Sequence, residues 1–272
     1  MDLVASGYIL PEAPRDDGAG GVVFSDVIGG GIHRARSDGS VELLHPARKG
    51  IGGLLPRQAG GWMASGRDLV AVRDGAEETI LDLVGATGLN DMTSDSEGRV
   101  IVGSLRFRPF RGESPIPGEI YRLSSDGTVE ELARGIDWPN GIGISPDGET
   151  LYVSDYAVAV IRAYRLGDAA PATPLGVFAA APSGNTDGLA VDQAGGVWVA
   201  LGSAGSLLRF TADGVVDRTI ETPLGFVTSL CFAGADLRRM FVTGVSEDPE
   251  LGGQVYTFET DRPGLPVAAA SI

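Results

Sequence analysis

The sequence predicts an all-β fold, a six-bladed β-propeller of four-stranded antiparallel blades around a central channel, and three observations predict it. Apolar runs are short and bounded by Gly-rich or Asp-Gly turns, among them Asp38-Gly39, Asp126-Gly127, Asp147-Gly148 and Asp213-Gly214, whose residues tolerate the positive φ of tight hairpins. Long helical patterns are absent, and 41 Gly residues suit many short strands better than helices. Finally, one layout recurs. An oxygen-bearing side chain opens an apolar run and a Gly sits eight residues on, at Glu12 with Gly20, Asn90 with Gly98, Asn140 with Gly148 and Asp187 with Gly195. Gly52 with Gly60 and Thr228 with Asp236 complete the register, giving six units of roughly forty residues.

Each unit reads as two hairpins. The first opens at Glu12 and returns through Val22-Val23-Phe24; the second opens at Gly52 and the third at Asn90, with Ile120-Tyr121-Arg122-Leu123 as a further strand. In the fourth, residues 141–145 form the inner strand, 150–154 return, and 160–166 and 175–178 make the outer pair. Val197-Trp198-Val199 belongs to the fifth and Leu230-Cys231-Phe232 to the sixth. The segment through Ile9 precedes the first inner strand, so it is expected to supply the outer strand of the last blade, closing the ring and removing a sheet edge.

This topology places the loops. If every inner strand starts at one rim, its hairpin lies at the opposite rim and the second strand returns to the first. Residues 104–118, with Arg106, Phe107, Arg108, Phe110 and Arg111, and residues 136–139, leading into Asn140, should therefore overhang the anchor rim.

Composition narrows the function. A chain of 272 residues, 43% hydrophobic, can bury a substantial core, and the repeat argues for one propeller domain over residues 1–272. No stretch approaches the ~20 apolar residues of a membrane span, and Met1-Asp2-Leu3-Val4 lacks the basic start of an export signal, so a soluble, cytoplasmic protein is expected. A net charge of -15 disfavours nucleic acid and anionic membranes as partners. The lone Cys231 excludes disulfides within the chain and is expected to be buried.

The anchors carry the chemistry. A closed ring aims Glu12, Asn90, Asn140 and Asp187 at one central point, where carboxylate and amide oxygens suit a hard divalent cation, with Asn90 at or beside it. Such an ion acts as a Lewis acid and lowers the pKa of water. His33 and His45 fall outside the anchor register, which argues against a His-rich zinc site and a Ser-His-Asp triad, and the sole lysine, Lys49, lies in a Gly-rich connector ill suited to a Schiff base. All-oxygen ligation makes Ca2+ the first expectation, with Mg2+, Mn2+, Zn2+ and Fe2+ compatible.

The segments Trp138-Pro139-Asn140-Gly141-Ile142-Gly143-Ile144-Ser145-Pro146-Asp147-Gly148, Leu151-Tyr152-Val153-Ser154-Asp155, Asn185-Thr186-Asp187-Gly188-Leu189-Ala190-Val191-Asp192 and Leu10-Pro11-Glu12-Ala13-Pro14-Arg15 resemble the SMP-30/gluconolactonase/luciferin-regenerating-enzyme-like family over nearly the whole chain. The resemblance implies a metal held by Glu12, Asn140 and Asp187, with Asp187 also the base, in an enzyme that opens lactones. Sugar lactonases of the family often carry an Arg two positions before the Asn matching Asn90, and a Trp after the Glu-x-Pro-x segment; here these are Gly88 and Asp16. Met92, Trp138 and Phe107 are thus expected to line a less polar pocket beside Asn90, with Arg106 or Arg108 available for a substrate carboxylate. The expected reaction is metal-dependent hydrolysis of a small lactone or ester by a monomer or weak homo-oligomer. A phosphotriesterase and a non-catalytic metal-binding propeller are the alternatives.

Overall fold

The computed structural model describes residues 1–46 and 48–272 and contains six four-stranded antiparallel sheets. Blade one is β2 (Pro11–Asp16), β3 (Val22–Asp26), β4 (Ile32–Ala35) and β5 (Val41–His45). Blade two is β6 (Leu54–Pro56), β7 (Trp62–Ala64), β8 (Leu69–Arg73) and β9 (Ala76–Leu81), and blade three is β10 (Gly88–Ser94), β11 (Val100–Leu105), β12 (Gly118–Leu123) and β13 (Val129–Ile136). Blade four is β14 (Pro139–Ile144), β15 (Thr150–Asp155), β16 (Val160–Arg165) and β17 (Thr173–Ala180), close to the strands expected from the sequence. Blade five is β18 (Leu189–Val191), β19 (Val197–Ala200), β20 (Ser206–Phe210) and β21 (Val216–Glu221). Blade six is β22 (Phe226–Ala233), β23 (Arg239–Val245), β24 (Gly253–Glu259) and, as its fourth strand, β1 (Asp2–Tyr8). The chain therefore forms a six-bladed propeller, and its first strand closes the ring as expected.

Apolar faces of neighbouring blades pack against one another. Blades one and two bury Val23, Ile32, Leu54, Ala64 and Val70 together, and blades four and five bury Ile161, Leu189, Val197, Leu208 and Phe210. Polar contacts at the anchor rim complete each junction. Ser25 Oγ donates to the Ile51 carbonyl at 2.7 Å, Leu89 N to Gly66 O at 2.6 Å, and Asn90 Nδ2 to Pro139 O at 2.9 Å. Gly141 N donates to Asp187 O at 3.2 Å, Gly188 N to Thr228 O at 2.9 Å, and Thr228 Oγ1 to Pro11 O at 2.7 Å. Those six bonds run once around the ring, so the anchor segments are also the seams between blades.

The histidines lie away from the anchors. His33 sits on β4, its ring stacked on Phe24 at 5.5 Å, and His45 sits on the outermost strand β5, buried against Glu77 at 2.7 Å. Cys231 is buried, and burial pushes its thiol up to about 12. No helix among the described residues is long and apolar enough to cross a membrane.

Candidate active site at the anchor rim

Pairing at the start of the inner strands is broken by β-bulges. The register slips between Glu12 and Arg15 in β2, between Leu89 and Met92 in β10, between Pro139 and Ile142 in β14, and between Val227 and Ser229 in β22. A bulge leaves residues off the ladder and re-aims their side chains. Glu12, Asn90, Asn140 and Thr228 sit at these slips, and Asp187 sits two residues before β18.

The structure brings three of the four expected anchors, Glu12, Asn140 and Asp187, together. Glu12, Asn140 and Asp187 are all buried, Asn90 is half-buried, and the Asn140 amide is hydrogen-bonded to the Asp187 carboxylate. Glu12 accepts from the Ala13 N–H and from Ser229. Burial pushes the Glu12 carboxyl up to about 8, with the charge of Asp91 adding to the rise. Asp187 is raised well above the carboxylate range, first by burial, then by Glu12 and Asp91. Each carboxylate thus lies in its neighbours' field inside a space of low polarizability, where a charge is costly unless a counter-charge joins it.

Gly52, an anchor with no side chain, has a steric reason to be Gly: a Cβ there would lie 2.2 Å from Asn90 Oδ1. The two loops expected to overhang the rim bring aromatic rings into contact. Phe107, buried, meets the half-buried Trp138 edge-on at 5.1 Å, and Trp138 tilts against Tyr156 at 4.5 Å. Burial and the Asp187 charge raise the Tyr156 phenol to about 12, which places that aromatic group next to the acidic centre. The Trp138 loop is fixed from below by Asp155, whose carboxylate accepts Asp137 N at 3.3 Å, Trp138 N at 3.1 Å and Arg162 Nε at 2.8 Å.

The other expected pocket residues have different surroundings. Met92 packs with Leu55, Met63, Leu89 and Val102 between blades two and three. Arg106 is engaged by Glu119 at 2.9 Å, and the exposed Arg108 by Glu113 at 3.2 Å. Gly88 offers no side chain to the rim, and Asp16 lines a cavity of about 780 Å³ at the opposite, hairpin rim, together with Asp95, Ser145, Asp147 and Leu265.

Four residues of the site escape the sequence pattern: Asp91, Arg15, Ser229 and Tyr156. Asp91 is buried and pairs with Arg15 at 3.2 Å. The available signal was the doublet Asn90-Asp91, two polar residues in succession where a regular strand alternates.

Among the described residues no three His, Cys, Asp or Glu side chains form a metal-holding group. The donors shown to converge are two carboxylates and the Asn140 amide, hard oxygens that suit a divalent cation, with Asn90 held nearby on the Pro139 carbonyl. The arginine whose charge reaches Glu12 is already engaged with Asp91, so the Glu12 and Asp187 pair fits such an ion.

Comparison with known proteins places this arrangement. The family model described as "SMP-30/Gluconolactonase/LRE-like region" matches residues 10–246. Pentonolactonase XacC of Haloferax volcanii is 31% identical over 165 residues, 60% of this chain and 55% of that protein, so the match spans about half of that relative. A 6-deoxy-6-sulfogluconolactonase of Pseudomonas putida is 30% identical over 260 residues, 89% of this chain and 87% of that protein. The solved luciferin-regenerating enzyme superposes with a TM-score of 0.87 at 20% identity, covering 98% of this chain and 97% of that one, and so shares the fold.

Proposed function

The chain belongs to the SMP-30/gluconolactonase/LRE-like family, and from that premise we propose that its anchor rim hydrolyses a small lactone. The observation that carries this reading is the buried pairing of Glu12 with Asp187, the latter bonded to Asn140, under the Phe107, Trp138 and Tyr156 wall. Relatives named as lactonases support the substrate class.

A divalent cation held by Glu12, Asn140 and Asp187 would supply Lewis-acid polarisation of the ester carbonyl. The residues do the rest. The Asp187 carboxylate takes the proton of the attacking water, and its bond to Asn140 fixes which oxygen faces that water. Asn90, anchored by its donation to Pro139 O at 2.9 Å, keeps an amide oxygen and a second N–H for the substrate. The water oxygen bonds to the carbonyl carbon, the ring C–O bond breaks, the leaving alkoxide takes the proton held by Asp187, and a hydroxy acid leaves. The aromatic wall excludes water from one face and favours a ring with an apolar substituent.

Asp187→Ala and Asn140→Ala should each lower kcat/KM on a lactone panel by about 10² to 10⁴ while leaving the melting temperature of a folded propeller. Chelation should do the same reversibly, restored by Ca2+ or another divalent ion. Wild-type rates after chelation or in either variant refute the mechanism. Turnover confined to phosphotriesters would replace the substrate class.

A further inference from the structure

One side chain crosses the channel beneath the anchors. Arg15 leaves β2 in blade one, passes blade two and reaches blade three, where Nη2 donates to the Met92 carbonyl at 2.7 Å and lies 3.2 Å from Asp91 Oδ1. Nη1 donates to Pro14 O at 2.8 Å. Arg15 is 7% exposed and Asp91 3%, so neither is a solvated surface charge. The Asp91 carboxylate is further occupied by the N–H groups of Met92, at 2.7 Å, and Ile142. Arg15 also lines the far-rim cavity, whereas Glu12, Asn90, Asn140 and Asp187 do not. It is therefore the floor that separates that cavity from the anchor site.

The charges around this floor are informative. Glu12, Asp91 and Asp187 contribute three negative charges when ionised and Arg15 one positive, which leaves two negative charges for a divalent cation to balance. A third carboxylate free to turn toward the ion would make a tighter but more saturated site, since Ca2+ accepts 6 to 8 oxygens and gains from each charged ligand. Resting on the metal-centre reading above, we propose that Arg15 sets the coordination of that centre: by holding Asp91 across the channel it withholds a third carboxylate and keeps positions open for substrate. Arg15 is thus a positioning residue acting through Asp91, and an Arg-to-apolar change should convert an open, catalytic site into a closed, storage-like one.

The test titrates chelator-stripped protein calorimetrically with Ca2+ and Mn2+ and reads the waters Mn2+ retains by water-proton relaxation. Arg15→Met should bind Ca2+ about tenfold more tightly than wild type and leave Mn2+ with fewer exchangeable waters, while lactone turnover falls. Simple removal of a positive charge would tighten binding too, but would not remove a water. The double variant Arg15→Met/Asp91→Asn deletes both charges and should return affinity to within about threefold of wild type, with wild-type hydration. Unchanged hydration in Arg15→Met overturns the proposal. Should Arg15→Met fail to fold, the double variant decides, because a loss of affinity beyond about a hundredfold with a gained water marks Asp91 as a ligand in the wild type. Wild-type protein that binds neither ion sinks the metal-centre reading itself, and the proposal with it, before any variant is compared.

Discussion

At the scale of the residue, the site depends on side chains that are absent as much as on those present. Gly52 occupies the anchor position of blade two, and its missing Cβ is the space in which the Asn90 amide lies. Gly52→Ala must push Asn90 away from the Pro139 carbonyl that fixes it, and a displacement near 1 Å at a reacting group costs on the order of 10² in rate. The expected outcome is a loss of lactone turnover of that size with little change in melting temperature, measured side by side on the purified variant. Retained turnover would mean that Asn90 does not hold the substrate. The repeat register made Glu12, Asn140 and Asp187 legible in the sequence, because each opens an apolar run at the same offset from a Gly turn. Asp91 and Met92 were not legible. Alternation in an unbroken β10 would send Asn90 and Met92 to one face, whereas the slip between Leu89 and Met92 puts Met92 in the inter-blade core and leaves Asp91 to meet Arg15. Bulges cannot be read from residue type alone, so the sequence found the ligand candidates and missed the floor beneath them.

At the scale of the element, the hairpins at the far rim are held by a recurring carboxylate, and blade five shows how much one can do. Asp192, fully buried after β18, accepts the Ala194 and Gly196 N–H groups at 3.0 and 2.8 Å with one oxygen. Its other oxygen accepts Trp198 Nε1 at 2.9 Å and Arg209 Nε at 2.7 Å, so a single side chain ties β18 to β19 and β20. Burial alone would raise its pKa, but the bonds from Arg209, Trp198 and Gly196 outweigh that and hold it below the usual carboxylate value. A lowered pKa means that the folded state binds a proton less readily than the unfolded chain. The stabilisation is therefore present above the unfolded value of about 4 and is lost as pH falls through the lower folded value. Asp192→Asn, which leaves Arg209 short of a buried partner, should cost about 2 to 3 kcal/mol at pH 7. Melting curves of the two proteins should converge as pH falls below about 4. A gap that stays constant down to pH 2.5 would remove Asp192 from the acid sensitivity of the fold.

At the scale of the whole molecule, ring closure is what keeps six sheets facing one axis, and it rests on the two ends of the chain. β1 pairs with β24 from Asp2 opposite Thr257 to Tyr8 opposite Gly253, and Tyr8 packs edge-on against Phe24 of blade one at 4.9 Å. The same strand therefore seals blade six and its seam with blade one, where Ala5, Val22, Phe24, Phe241 and Val255 are buried together. The closing strand was foreseeable because an N-terminal run left over before the first anchor has only the last blade to join. The C-terminal segment was not, since it carries no repeat: it crosses the far rim from Gly264 and Leu265, bonded to Leu237 and Val191, to Ala270 and Ser271, bonded to Pro56 and Gly98. Deleting residues 1–9 should expose the β24 edge and open the seam, lowering the melting temperature by about 10 °C or more and promoting association through the freed edge. A synthetic peptide of residues 1–9, added in excess, should restore much of the loss by pairing with β24 in the native register, because strand addition supplies the same backbone bonds in trans. Because Glu12 sits at the start of the adjoining inner strand, turnover should fall and recover in step with the melting temperature. A truncated protein that melts as wild type, or a peptide that restores stability without turnover, would show that closure of the ring and alignment of the anchors are separate properties of this fold.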